Sequence, residues 1–181
     1  MFKSLSFLVL GLFLQSRPAA AGFLLFEPSV GYVQGHYDLL AASGIAADFR
    51  LGFRLGSEFY LGADVMYGMP SLAATAPASG SGYAATLMDM GAVLGWDMGK
   101  FRIGFSYIFS SKLSWSDAGG NPTSNTGNGY KLGLGFDLSD KMILGLDAIF
   151  DSYNTQSAGG SSSKTPNFMD LAYISLAWKV W

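Results

Sequence analysis

The chain has 181 residues, half of them hydrophobic and only 13% charged, with a formal net charge of −2. Acidic and basic residues interleave, which excludes the basic stripe of a nucleic-acid-binding surface, and the lack of cysteine removes disulfides, thiol catalysis and thiolate metal sites together. Beyond the N-terminus no apolar run reaches the roughly 18 residues that a membrane helix needs, so the apolar excess has to be spread over alternating strands.

Residues 1–21 read as an export signal. Lys3 supplies a positive start, Leu5 to Leu14 an apolar stretch too short to span a membrane, and Ala19-Ala20-Ala21 a small-residue cleavage site, making 22–181 the expected mature domain. The first strand, about Leu24 to Gln34, sends Phe26, Val30 and Tyr32 one way and Glu27, Ser29 and Gly31 the other. Pro28 cannot donate to a ladder, which predicts a bulge or late pairing there. A loop is expected over His36 to Ser43.

The second strand, Gly44 to Gly56, shows the pattern most clearly. Ile45, Phe49, Leu51, Phe53 and Leu55 alternate with Asp48, Arg50, Gly52 and Arg54, whereas a helix would scatter those charges around its cylinder. After a tight turn at Gly56-Ser57-Glu58 the third strand sets Phe59, Leu61, Val65 and Tyr67 against Tyr60, Gly62 and Asp64. A Pro/Gly/Ser-rich loop follows over Pro70 to Gly82. The fourth strand sets Met88, Met90, Leu94 and Trp96 against Asp89, Gly91 and Asp97, and turns at Met98-Gly99-Lys100. The fifth sets Phe101, Ile103, Phe105, Tyr107 and Phe109 against Arg102, Gly104, Ser106 and Ser110. Ser111 to Asn128 reads as a long polar loop. The sixth alternates Tyr130, Leu132, Leu134 and Phe136 with Lys131, Gly133 and Asp137, and the seventh sets Leu144, Leu146 and Phe150 against Asp147 and Asp151, with Ile143 and Ile149 spoiling the polar face. A last loop spans Asn154 to Asn167, and Ala172, Ile174, Leu176, Trp178 and Val180 close the chain.

Long connections after odd strands and short turns after even ones put every long loop at one end of an up-and-down meander. This predicts an all-β, eight-stranded antiparallel transmembrane barrel, with short periplasmic turns and longer external loops. An eight-stranded interior is just wide enough for side chains to fill. The bulky apolar row would overfill it, so that row is expected to face lipid. Two belts of interface aromatics follow: Phe59, Trp96, Phe101 and Trp178 at the turn end, and Tyr67, Tyr107, Phe109, Tyr130 and Phe150 at the loop end. The inward row carries Glu27, Asp48, Arg50, Arg54, Asp64, Asp89, Asp97, Arg102, Lys131, Asp137, Asp147, Asp151 and Lys179. Folding the hairpins on their turns places Arg50 opposite Asp64 and Asp97 beside Arg102, and predicts Glu27 between Arg54 and Lys179. Buried charges require partners, so a charge-paired, blocked lumen is expected.

The signal segment, the eight alternating strands, the four external loops and a last strand YISLAWKVW ending in an aromatic resemble the small Gram-negative outer-membrane barrels of the OmpA transmembrane domain and OmpX group. The resemblance implies outer-membrane lipids and lipopolysaccharide as surroundings. It also implies the barrel-assembly machinery as a partner, with Trp178 or Trp181 as the assembly signal, and a monomer without cofactor. The loops, with Trp115 and Phe168, are candidates for an extracellular ligand. Two other functions share this frame. An OmpW-like conduit would use an apolar lumen level at Met66, Leu87, Val93, Ile108 and Ile149. A lipid A acyl-modifying barrel enzyme would need His36, the sole histidine, with Asp38 and with Ser71 or Ser111.

Overall fold

The computed structural model describes residues 24–74, 82–117, 119–164 and 166–180. Nine strands form one antiparallel sheet: β1 (Leu24–Tyr37), β2 (Leu40–Leu55), β3 (Phe59–Ala74), β4 (Tyr83–Met98), β5 (Phe101–Ser116), β6 (Pro122–Asp137), β7 (Met142–Ala158), β8 (Ser161–Ser163) and β9 (Asn167–Trp178). Each of β1 to β7 pairs with its successor in the chain. β9 pairs with both β1 and β7, which closes the eight long strands into a barrel, and β8 is a short arm folded back on the end of β7. No helix among the described residues is long and apolar enough to cross a membrane; a closed barrel crosses with strands.

Side-chain parity sorts the two faces of the wall. Phe49, Leu51 and Phe53 are 45%, 55% and 49% exposed on the outside, whereas the side chains of Arg50 and Arg54 between them are 16% and 17% exposed and point inward. Ile143 and Ile149, which break the polar pattern of β7, are lumen residues, 3% and 0% exposed. Turn geometry holds the short-turn end of the barrel: Gly56 and Gly99 take positive φ values of 78° and 71°, which a side chain would resist.

The external half differs from the loop-rich expectation. The β1–β2 ladder runs up to Tyr37 opposite Leu40, so His36 to Ser43 is strand around a two-residue turn, and Asp38 sits there at a φ of 52°. Of Ser111 to Asn128, the parts up to Ser116 and from Pro122 onward are strand, since the ladder continues to Ser116 opposite Pro122. Asn154 to Asn167 is likewise strand through Ala158, with β8 beyond it. Of the expected loop Pro70 to Gly82, β3 takes the part up to Ala74, and residues 75–81 lie outside the described residues. The physical reason is that Ser, Thr, Asn and Gly reduce apolar patterning without preventing ladder hydrogen bonds. Leu72, Leu113, Thr123 and Asn125 from these segments, with Tyr153 just before the last, fill the lumen above the charged level.

Of the two outcomes expected at Pro28, late pairing is the one that forms. Pro28 forms no bulge in the β1–β2 ladder; it delays pairing on its other side, where the β1–β9 ladder begins at Ser29 opposite Ala177. Register shifts fall instead at Met90/Gly91, at Ile108/Ser111 and at Thr126/Gly127. The second shift inverts the parity of β5, so that Ser111 and Leu113 point inward beyond it while Ser110 is only half-buried.

Candidate functional site: the filled lumen and the apolar wall

The charged lumen begins at the short-turn end. Arg102 on β5 reaches across the barrel to Glu27 on β1, its Nη1 2.5 Å from Oε1, and its Nε lies 2.9 Å from Asp97 Oδ1 in the neighbouring register position. Asp97 also receives Arg54 Nη1 at 2.5 Å. The expected seat of Glu27 between Arg54 and Lys179 is therefore not the one adopted. In register Glu27 faces Arg50 on β2, and Lys179 lies past the end of β9, where it pairs with Asp137 at the rim. A long Arg side chain spans this narrow lumen more easily than a neighbour slides along the wall. Tyr60 lies in the same level, its ring centroid 5.8 Å from the Arg102 guanidinium carbon. The ring lies against Gly95, where an added Cβ would sit 1.9 Å from the Tyr60 ring.

One level higher, Arg50 gathers three carboxylates. Its Nη2 is 3.2 Å from Asp147 Oδ1, and its Nε is 3.4 Å from Asp64 and 3.6 Å from Asp48. The register sets Arg50 opposite Asp64. Lys131 Nζ bonds Asp64 at 2.6 Å and Asp48 at 3.2 Å, and Ser106 donates to Asp64 at 2.7 Å. The cavity left between these levels holds about 20 Å³, lined by Glu27, Ser29, Asp48, Arg50, Arg102 and Asp147 among others. That is room for about one water. Asp89 and Asp151 stand above, buried and outside both clusters.

The external half of the lumen is packed with apolar and aromatic side chains. Met66, Leu87, Ile108 and Ile149 join Val33, Leu113, Tyr37, Tyr153 and Tyr173 in one buried cluster, while Val93 packs lower, with Leu25 and Tyr60. Tyr37 meets Trp115 and Tyr153 edge-on at 5.6 and 5.9 Å, and its hydroxyl takes hydrogen bonds from Asn125 and Asn167. Trp115, expected in a mobile loop, is thus a half-buried strand residue bracing the lumen. Phe168 is 66% exposed.

On the outside, all nine belt aromatics are exposed, and three neighbouring pairs touch: Phe59 with Trp96, Phe101 with Phe136, and Tyr130 with Phe150, at ring-centroid distances of 5.7, 5.2 and 5.2 Å. Trp178 ends β9 on this face; Trp181 lies outside the described residues. His36 points outward too, with Nδ1 3.7 Å from Asp170 on β9. Ser111 faces the lumen and bonds Tyr153, and Ser71 lies on β3 with the whole of β2 between it and β1. The pieces named for an acyl-modifying centre do not meet. Among the described residues no three acidic or histidine side chains converge as metal ligands.

A closed eight-stranded barrel with an oily exterior and a charge-filled interior is the architecture of the small outer-membrane β-barrel proteins. Solved structures bear this out. The chain superposes on Neisserial surface protein A with a TM-score of 0.55 at 12% identity, covering 88% of this chain and 98% of that one. For Ail, the attachment invasion locus protein of Yersinia pestis, the values are 0.54, 12%, 87% and 99%. For the outer membrane protein OprG of Pseudomonas aeruginosa they are 0.53, 9%, 86% and 95%. No family model matches the chain, and no curated protein matches it in sequence.

Proposed function

We propose that this chain is exported by residues 1–21, inserted as a monomer into the bacterial outer membrane, and serves there as a structural or surface-interaction barrel rather than as a pore. The observation that carries this reading is the lumen, where two ion-pair clusters and a packed apolar level follow one another along the axis, with a cavity of about 20 Å³ between the charged levels. Breaking such a plug means separating buried ion pairs, at roughly 3–5 kcal/mol for each partner removed. What remains for interaction is the external rim and the wall, in contact with outer-membrane lipid and lipopolysaccharide. The three superposed proteins include one titled as a surface protein and one named for attachment and invasion, which agrees with a role at the cell surface.

Planar-bilayer recording of the refolded barrel tests it. A silent membrane is the expected result, and discrete conductance steps would overturn the plugged barrel. The conduit reading has one observation in its favour, the buried apolar level of Met66, Leu87, Ile108 and Ile149. Saturable uptake of a small apolar solute by vesicles carrying the barrel, abolished by Leu87→Asp, would establish it instead.

A further inference from the structure

Asp89 on β4 and Asp151 on β7 are 4% and 2% exposed, and none of their four carboxylate oxygens takes a hydrogen bond from a described residue. Both lie against the same stretch of β5. Asp89 is opposite Ser111 in the β4–β5 ladder. Asp151 is opposite Gly129, and its Oδ1 lies 2.4 Å from where a Cβ on Gly129 would stand, so the carboxylate leans over β6 through the gap that glycine leaves. Gly129 in turn pairs with Ile108, immediately below the β5 bulge, and Ser111 lies immediately above it.

The protein's own cations are engaged elsewhere. Lys131 is held by Asp48 and Asp64, and Arg50 by Asp48, Asp64 and Asp147, so this level already sets three carboxylates against two positive charges. Arg54 and Arg102 sit lower, on Asp97 and Glu27. Two further carboxylates without counter-charge would each cost several kcal/mol. Ser111, 1% exposed, donates its proton to Tyr153 at 3.1 Å, and its oxygen keeps lone pairs for another contact.

We propose that Asp89, Asp151 and Ser111 bind a hard divalent cation of the Ca²⁺ class inside the lumen. The donors are all oxygen, which selects hard ions over soft ones. Two carboxylates cancel two positive charges. Ca²⁺ accepts an irregular donor set more readily than Mg²⁺, which demands a near-ideal octahedron. Two carboxylates and a hydroxyl leave coordination positions for retained water. The apolar level above and the ion pairs below make the ion a resident, taken up as the barrel closes.

The test uses the whole barrel chain, refolded into detergent micelles with Ca²⁺ or with EDTA. Expected are about one equivalent of Ca²⁺ retained after dialysis and a saturable rise of a few degrees in unfolding temperature. Both should be lost in D89N/D151N and kept in D170N, whose carboxylate lies outside the barrel. Wild-type protein that retains no ion, or a double variant that retains it, overturns the proposal. So does a wild type indifferent to Ca²⁺ beside a more stable D89N/D151N, which would mean that the pair is held by protons. If the double variant does not fold, Tb³⁺ emission excited through Tyr153 in the wild type decides. Emission displaced by Ca²⁺ and weakened in Y153F supports the site, and its absence overturns it.

Discussion

Arg50 on β2 reaches across the barrel to Asp147 on β7, Nη2 to Oδ1 at 3.2 Å, although the two strands share no ladder. This contact ties opposite walls together, while Asp64 and Asp48 hold the same guanidinium from its own side. Removing Arg50 leaves Asp147 buried without its cation, so Arg50→Ala should destabilise the barrel by about 3–5 kcal/mol, whereas Asp147→Ala leaves the guanidinium on Asp64 and Asp48 and should cost less. In urea unfolding from bilayers, their double-mutant cycle should show a coupling of about 0.5–3 kcal/mol. Additive losses would mean that the cross-barrel pair contributes nothing of its own.

Tyr60 occupies the space above Gly95 so closely that even a methyl group at that position meets the ring. Gly95→Ala should cost about 1–3 kcal/mol by overpacking. Replacing Tyr60 by Leu in the same chain should recover most of the loss. A Gly95→Ala barrel with unchanged urea midpoint would show that the ring is free to move aside.

Phe105 lies on the outer wall midway between Phe101 and Phe109 of the two aromatic belts and is 46% exposed. Charge at the bilayer midplane is costly, so Phe105→Arg should destabilise the barrel in lipid by about 2–4 kcal/mol, whereas Phe101→Arg at the belt should cost only about 0–1 kcal/mol. Equal effects at the two positions would misplace the membrane along the barrel.

At the tip of the β5–β6 hairpin, Asp117 accepts backbone N–H bonds from Asn121 at 2.8 Å and Gly119 at 2.9 Å. These bonds, Asn121 first, hold its carboxyl below the usual carboxylate range. A depressed folded value means the tip is fully stabilised above the ordinary Asp value and loses that contribution as pH falls through the lower one. The protection factor at Asn121, measured against the intrinsic exchange rate at each pH, should therefore fall on acidification, and Asp117→Ala should remove that pH dependence. Protection at Asn121 that ignores pH down to strong acid would contradict the assignment.

Period-two alternation made the wall of this barrel legible, because every bulky apolar residue between Phe49 and Phe53 or between Phe101 and Phe109 had to share one face. Turn-based counting also placed Arg50 against Asp64 and Asp97 against Arg102, since a hairpin's register follows from its turn. Contacts across the lumen were not legible in the same way. Glu27 with Arg102 and Arg50 with Asp147 depend on how the closed sheet is sheared, which no single hairpin encodes. The external strand ends escaped for a different reason. Thr123, Asn125 and Ser111 carry no apolar signal, yet their backbones ladder as well as any, and the β5 bulge that turns Ser111 inward leaves no mark in hydrophobicity.

Above its bulge the β5–β6 ladder runs without a further break out to Ser116 and Pro122, which makes the hairpin a stiff mast rather than a slack tether. Ser116 stands nine residues beyond Tyr107, about 30 Å of strand at the usual rise. A foreign peptide spliced between Gly119 and Gly120 would be held at the far end of a rigid support, which makes this hairpin a natural handle for displaying an inserted sequence.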